Sequence, residues 1–88
     1  MTLTVDDELR AICRDLIAEG FSELEWAARE ADDWVQSDHY EGGYDATEKA
    51  FCFSRYSEQD EAWFQFTLAE AAAIAIGELS QLPVRLAE

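Results

Sequence analysis

Positive charge is what this sequence has least of. Six Lys and Arg stand against 20 Asp and Glu in 88 residues, a formal net charge of -14. Nucleic-acid affinity rests on Lys and Arg neutralising phosphates, so this balance argues against direct binding of DNA or RNA, and an anionic membrane surface repels the chain for the same reason. Cysteine is scarce too. Cys13 and Cys52 are too few and too far apart for a disulfide framework or a zinc knuckle, and they read as reduced thiols of a cytoplasmic protein. The N-terminal MTLTVDDELR has neither the basic region nor the apolar run of a signal peptide. The longest apolar stretch, AAAIAI, is far short of the ~20 residues that span a bilayer, so no membrane role is expected.

What is present is hydrophobic and aromatic. Apolar residues make up 49% of the chain and aromatics 12%, which separates it from disordered acidic chains that cannot bury enough surface to offset their ordering entropy. Residues 1–88 therefore read as one acidic globular domain, near the lower size limit for a single core. Its charge opposes folding through self-repulsion.

Periodicity gives an element order. Thr4 with Asp7 suggests a capped first helix whose buried face is Leu9, Ile12, Cys13, Leu16 and Ile17, ended by Gly20. Ser22 and Glu25 form a second capping box, predicting a helix from about Glu23 to Gln36 that pairs with the first as a helical hairpin. Gly42-Gly43 marks a loop from Ser37 to Asp45. KAFCFSRY and AWFQFTL then alternate as a β-hairpin, with Phe51, Phe53, Phe64 and Phe66 on one face and Cys52, Tyr56, Trp63 and Gln65 on the other. Thr67 and Glu70 cap a third helix that should stop before Pro83. The expected fold is α+β, in the order α-α-β-β-α, with the helical hairpin and the C-terminal helix packed on a small antiparallel β-hairpin sheet.

The most unusual stretch is EADDWVQSDHYEGGYD, from Glu30 to Asp45, with six carboxylates, one histidine and no Lys or Arg. A calcium loop begun at Asp38 would place Tyr40 third, Gly42 fifth and Lys49 twelfth, where oxygen ligands are required, and one begun at Asp33 places Val35 third. His39 is the only histidine, so neither a zinc site nor a nucleophile and base pair can be assembled around it. Paired carboxylates for glycoside hydrolysis need a sugar-binding cleft that so short a chain has little room for. No glycine-rich phosphate loop or nucleophile elbow occurs. A non-enzymatic protein with no metal and no cofactor is the expectation.

Charge is the remaining signal. Between Asp15 and Glu48 eleven carboxylates face only Arg29, a local net charge of -10 (11 negative, 1 positive), whereas ordinary helical surfaces mix both signs. A helix from Ser22 to Asp38 would carry about one net charge per ~5 Å at ~1.5 Å rise per residue, more dilute than a phosphate strand at one per ~3.4 Å. The acids of the first helix and of the glycine loop bring the surface into that range. Exposed aromatics among these acids have the composition of an interface anchored by aromatics and steered by charge. The candidate partner-binding residues are Glu23, Glu30, Asp32, Asp33, Asp38, Tyr40, Glu41, Tyr44, Asp45 and Trp63. Their expected partner is a basic protein, with homodimerisation through a free strand edge left open.

In size, charge and lack of chemistry, the chain around EADDWVQSDHYEGGYD resembles the small anti-CRISPR and anti-restriction proteins of phages that imitate nucleic acid. That resemblance implies an inhibitor in the cytoplasm of a bacterial host, occupying the basic nucleic-acid groove of a defence effector. The alternative is an acidic immunity or antitoxin protein that neutralises a basic nuclease; the colicin-type immunity proteins are all-helical, with a tyrosine pair in the binding helix. A small acidic enzyme, a calcium-responsive module and an adaptor subunit are the other classes that fit the composition.

Overall fold

Two capping boxes form where their spacing predicts. In the computed structural model, which describes residues 2–29, 34–57 and 61–86, the Ser22 hydroxyl accepts from Glu25 N at 3.2 Å while the Glu25 carboxylate accepts from Ser22 N, opening α2 (Glu23–Ala28). Thr67 and Glu70 make the same reciprocal pair at α3 (Leu68–Ala75). The first helix, α1 (Asp7–Ala18), is capped by Asp6, whose carboxylate accepts from Leu9 N, and not by Thr4, which lies in strand β1 (Thr2–Thr4). Gly20, at φ 71, ends α1 as expected.

The remaining strands are β2 (Val35–Gln36), β3 (Tyr40–Asp45), β4 (Ala50–Tyr56), β5 (Glu61–Phe66) and β6 (Gln81–Leu86). All pair antiparallel in a single sheet of order β1-β6-β5-β4-β3-β2. The fold is α+β, but among the described residues the sheet has six strands where the sequence pattern predicts two. The predicted hairpin is its centre, β4 and β5, with the phenylalanines and the Cys52, Trp63 and Gln65 set on opposite faces as alternation requires.

Three further expectations are corrected. The second helix stops at Ala28 instead of reaching Gln36, because Val35 and Gln36 pair with Gly42 and Glu41 at the sheet edge. The expected glycine loop is strand β3, in which Tyr40, Gly42 and Tyr44 point to the core face. Gly42 sits under the Phe53 ring, and a Cβ there would lie 2.6 Å from Phe53 Cγ and closer still to the Cys52 carbonyl, so only glycine fits. The third helix ends at Ile76 in a Schellman motif, Gly77 N to Ile74 O and Glu78 N to Ala73 O, with Gly77 at φ 80, which releases Gln81 to Leu86 to form β6.

The helices cover one face of the sheet. α1 packs along α3, not in a hairpin with α2, and the small Ala71 and Ala75 let the two approach, with Arg14 Nε donating to the Ala75 carbonyl at 3.3 Å. Beneath them lies an aromatic layer. Phe51 stacks on Phe66 at 5.3 Å and takes the edges of Trp26 and Tyr44, each at 5.1 Å. Full burial of Phe51, Phe53 and Phe66 contributes about 2–3 kcal/mol each before entropy is counted. Cys13 lies in this core and Cys52 on the opposite sheet face, so the two thiols are free and cannot pair within the fold. Among the described residues no helix is long and apolar enough to cross a membrane.

Candidate functional site

Four of the six cations are spent on architecture. Arg10 pairs with Asp7 at 3.2 Å, Arg14 holds the α3 terminus, Arg29 lies over the Phe21 ring at 4.6 Å, and Arg55 reaches the Tyr40 hydroxyl at 3.2 Å and Asp6 at 3.9 Å. Each is anchored against an element of the fold instead of being spread over the acidic surface. Asp15, Glu19, Glu23, Asp38, Glu48 and Glu78 are exposed and have no basic partner among the described residues.

One carboxylate has a structural task. Glu8, on α1, accepts from the Ser37 hydroxyl at 2.6 Å and from His39 N at 2.9 Å, and its other oxygen meets His39 Nδ1 at 2.8 Å. Its pKa falls from 4.5 to about 2, chiefly through the Ser37 hydroxyl, against burial and helped by the two His39 contacts. His39 is thereby a latch residue of the β2 to β3 turn. Among the described residues no group of three or more His, Cys, Asp or Glu could hold a metal. The thiols are poor nucleophiles: burial pushes Cys13 up to about 12 and, aided by Asp45 and Glu48, raises Cys52.

The sequence-predicted contact residues do not gather into one patch. Tyr40 and Tyr44 are 1% and 4% exposed, facing the aromatic core, so neither can anchor a partner; burial raises both phenols. Glu23 is exposed in the first turn of α2, and Asp38 on the turn after β2. Asp45 turns inward to cap the β3 to β4 turn, accepting from Thr47 N and Glu48 N. Glu41 and Trp63 share the sheet face away from the helices, where Glu41 accepts from the Tyr56 hydroxyl, a bond that pushes the phenol up to about 12. Trp63 is 45% exposed there. Glu30, Asp32 and Asp33 lie outside the described residues. With α2 only six residues long, the row of charge expected along a helix from Ser22 to Asp38 is not formed.

Surface hollows form instead among the described residues. A groove of about 620 Å³ on the outer sheet face is lined by Trp63, Cys52, Pro83 and the carboxylates Glu48 and Glu70. A cleft of about 340 Å³ between α1 and β2 is lined by Asp15, Glu19, Trp26 and Trp34. A third, of about 450 Å³, lies where α1, α2 and α3 meet and contains Glu23. Each contains at least one carboxylate, and Lys and Arg are absent from all three linings.

No family model, curated protein or solved structure matches the chain. The geometry therefore carries the functional argument alone. Sequence reasoning passed over Asp15, Glu19 and Trp34 as site residues. Asp15 on α1 and Glu19 at its C-cap are four apart, a spacing that puts both on one face. Trp34 reads as the end of a helix only as long as α2 runs on to Gln36; with α2 ended, it stands 63% exposed beside them.

Proposed function

We propose that the protein is a non-enzymatic inhibitor that occupies the basic nucleic-acid-binding surface of a host defence effector, an anti-CRISPR or anti-restriction role, by electrostatic imitation of nucleic acid. The observation that carries this reading is the separation of charge roles. Arg10, Arg14, Arg29 and Arg55 are bound up in the fold, while carboxylates line each of the three hollows described above and populate the exposed faces of α1 and α2. A protein surface of one sign speeds encounter with the opposite sign and rejects like-charged competitors. Exposed Trp34, Trp63 and Tyr56 among these acids supply contact area that phosphate alone lacks.

Occlusion of this kind requires no catalytic group, only a rigid acidic body wide enough to fill a groove, and the fold measures 35 × 27 × 21 Å. The test is capture of partners from host lysate at low and then at moderate salt. A nucleic-acid-binding protein that elutes with salt and is displaced by added DNA or RNA is the expected result. Capture of a neutral protein indifferent to both overturns the reading.

A further inference from the structure

The cleft between α1 and β2 differs from the other two hollows in holding an unmet polar group. Trp26 lines it and is 2% exposed, and its indole Nε1 is buried with no hydrogen-bond partner among the described residues. Buried donors are nearly always satisfied, and among the described residues nothing supplies this one's acceptor. Two carboxylates, Asp15 and Glu19, share the same cleft, one helical turn apart. Trp34, 63% exposed, supplies an aromatic wall, and Leu16 and Val35 supply apolar surface.

We propose that this cleft is a socket for an arginine side chain of the basic partner, an inference that rests on the occlusion reading above. Carboxylates paired on one helix face suit the two-pronged donor geometry of a guanidinium, and an indole face suits its flat, weakly hydrated plane. The methylenes of an arginine match the apolar part of the lining. A lysine ammonium would satisfy the carboxylates but gains less from the indole wall and has no planar fork to match the pair. The volume of about 340 Å³ lies at the small end of ligand pockets, as a single side chain requires.

The test is titration calorimetry of the whole protein with a capped tetra-arginine peptide and its tetra-lysine counterpart at low salt. The arginine peptide is expected to bind more tightly by about tenfold. Asp15→Asn combined with Glu19→Gln should weaken it by about tenfold beyond Glu48→Gln combined with Glu78→Gln, which removes the same two charges away from the cleft. Trp34→Ala should bring the arginine peptide down to the level of the lysine peptide. All substituted positions are exposed, and a thermal melt checks that each variant folds. Equal weakening by the two charge pairs, or equal binding of the two peptides, overturns the socket while leaving long-range charge attraction, and so the occlusion reading, intact. Failure of the wild-type protein to bind either peptide also overturns the socket, and the lysate capture then decides the broader reading separately.

Discussion

Replacing Glu8 by glutamine removes one negative charge from a protein with 14 in excess, so a purely global view of charge predicts a stabilised variant. The local structure predicts the reverse. Glu8 receives hydrogen bonds from the Ser37 hydroxyl, His39 N and the His39 ring, tying α1 to the turn between β2 and β3. Its pKa drops from 4.5 to about 2, a change of about 2.5 pH units, which at ~1.36 kcal/mol per unit sets a ceiling of about 3.4 kcal/mol. The side chain is 28% exposed, and solvent screening reduces that ceiling to about 1–2 kcal/mol. For a domain of this length, Glu8→Gln should then lower the melting temperature by about 5–15 °C at pH 7. Because the folded pKa is depressed, the contribution is complete above pH 4.5 and is lost as pH falls towards 2. The remaining carboxylates titrate in both proteins and cancel in the difference. Urea unfolding of wild type and variant from pH 7 to pH 2.5 is the measurement, and the gap between them should close over that lower range. A variant at least as stable as wild type at pH 7, or a gap that does not change with pH, refutes the reasoning.

Gly42→Ala should cost about 2 kcal/mol or more, since its Cβ meets the Cys52 carbonyl and the Phe53 ring, whereas Gly20→Ala, with nothing within 4 Å but a φ of 71°, should cost about 1 kcal/mol; equal losses in chemical denaturation would contradict the close-approach account. Lys49 holds φ 55 in the β3 to β4 turn, so Lys49→Gly should raise stability by about 0.5–1 kcal/mol at moderate salt, and an unchanged or lower midpoint counts against strain there. Added sodium chloride should raise the melting temperature as the Debye length shrinks to ~10 Å near 0.1 M, and a flat or falling profile would show that self-repulsion does not limit stability.

Local signals in the sequence are those whose partners lie within a few residues. Ser22 with Glu25, Thr67 with Glu70 and the alternation of Phe51, Phe53, Phe64 and Phe66 are all satisfied by near neighbours, and each forms as written. β3 was hidden because Gly42 is dictated by the Phe53 ring on the opposing strand, a contact that the text of the chain does not display; read locally, two glycines mean a turn. Its period of two was nevertheless present, Tyr40, Gly42 and Tyr44 on one face against Glu41 and Asp45 on the other. β1 and β2, of three and two residues, are too short to carry any period. Gly77 could have marked the end of α3, but AEAAAIAIGELSQL keeps its helical spacing beyond it, and only the Schellman bonds show that the glycine prevails. For the site, the charge excess was legible and its placement was not. Tyr40 and Tyr44 moved into the core when their loop became a strand, and the Asp15, Glu19 and Trp34 cleft depends on where α2 ends.

The strand order β1-β6-β5-β4-β3-β2 has a consequence for how the protein is made. β1 leaves the ribosome first among the described strands, yet it pairs with β6, the last of them to emerge. While β3, β4 and β5 are already able to zip together behind it, the nascent chain holds Thr2 to Val5 without a partner and α1 without α3, the helix it packs along. Closure of the sheet therefore waits for the release of Gln81 to Leu86 from the exit tunnel. In that interval the strong like-charge repulsion that burdens the finished fold works in its favour, keeping unfinished chains on neighbouring ribosomes apart.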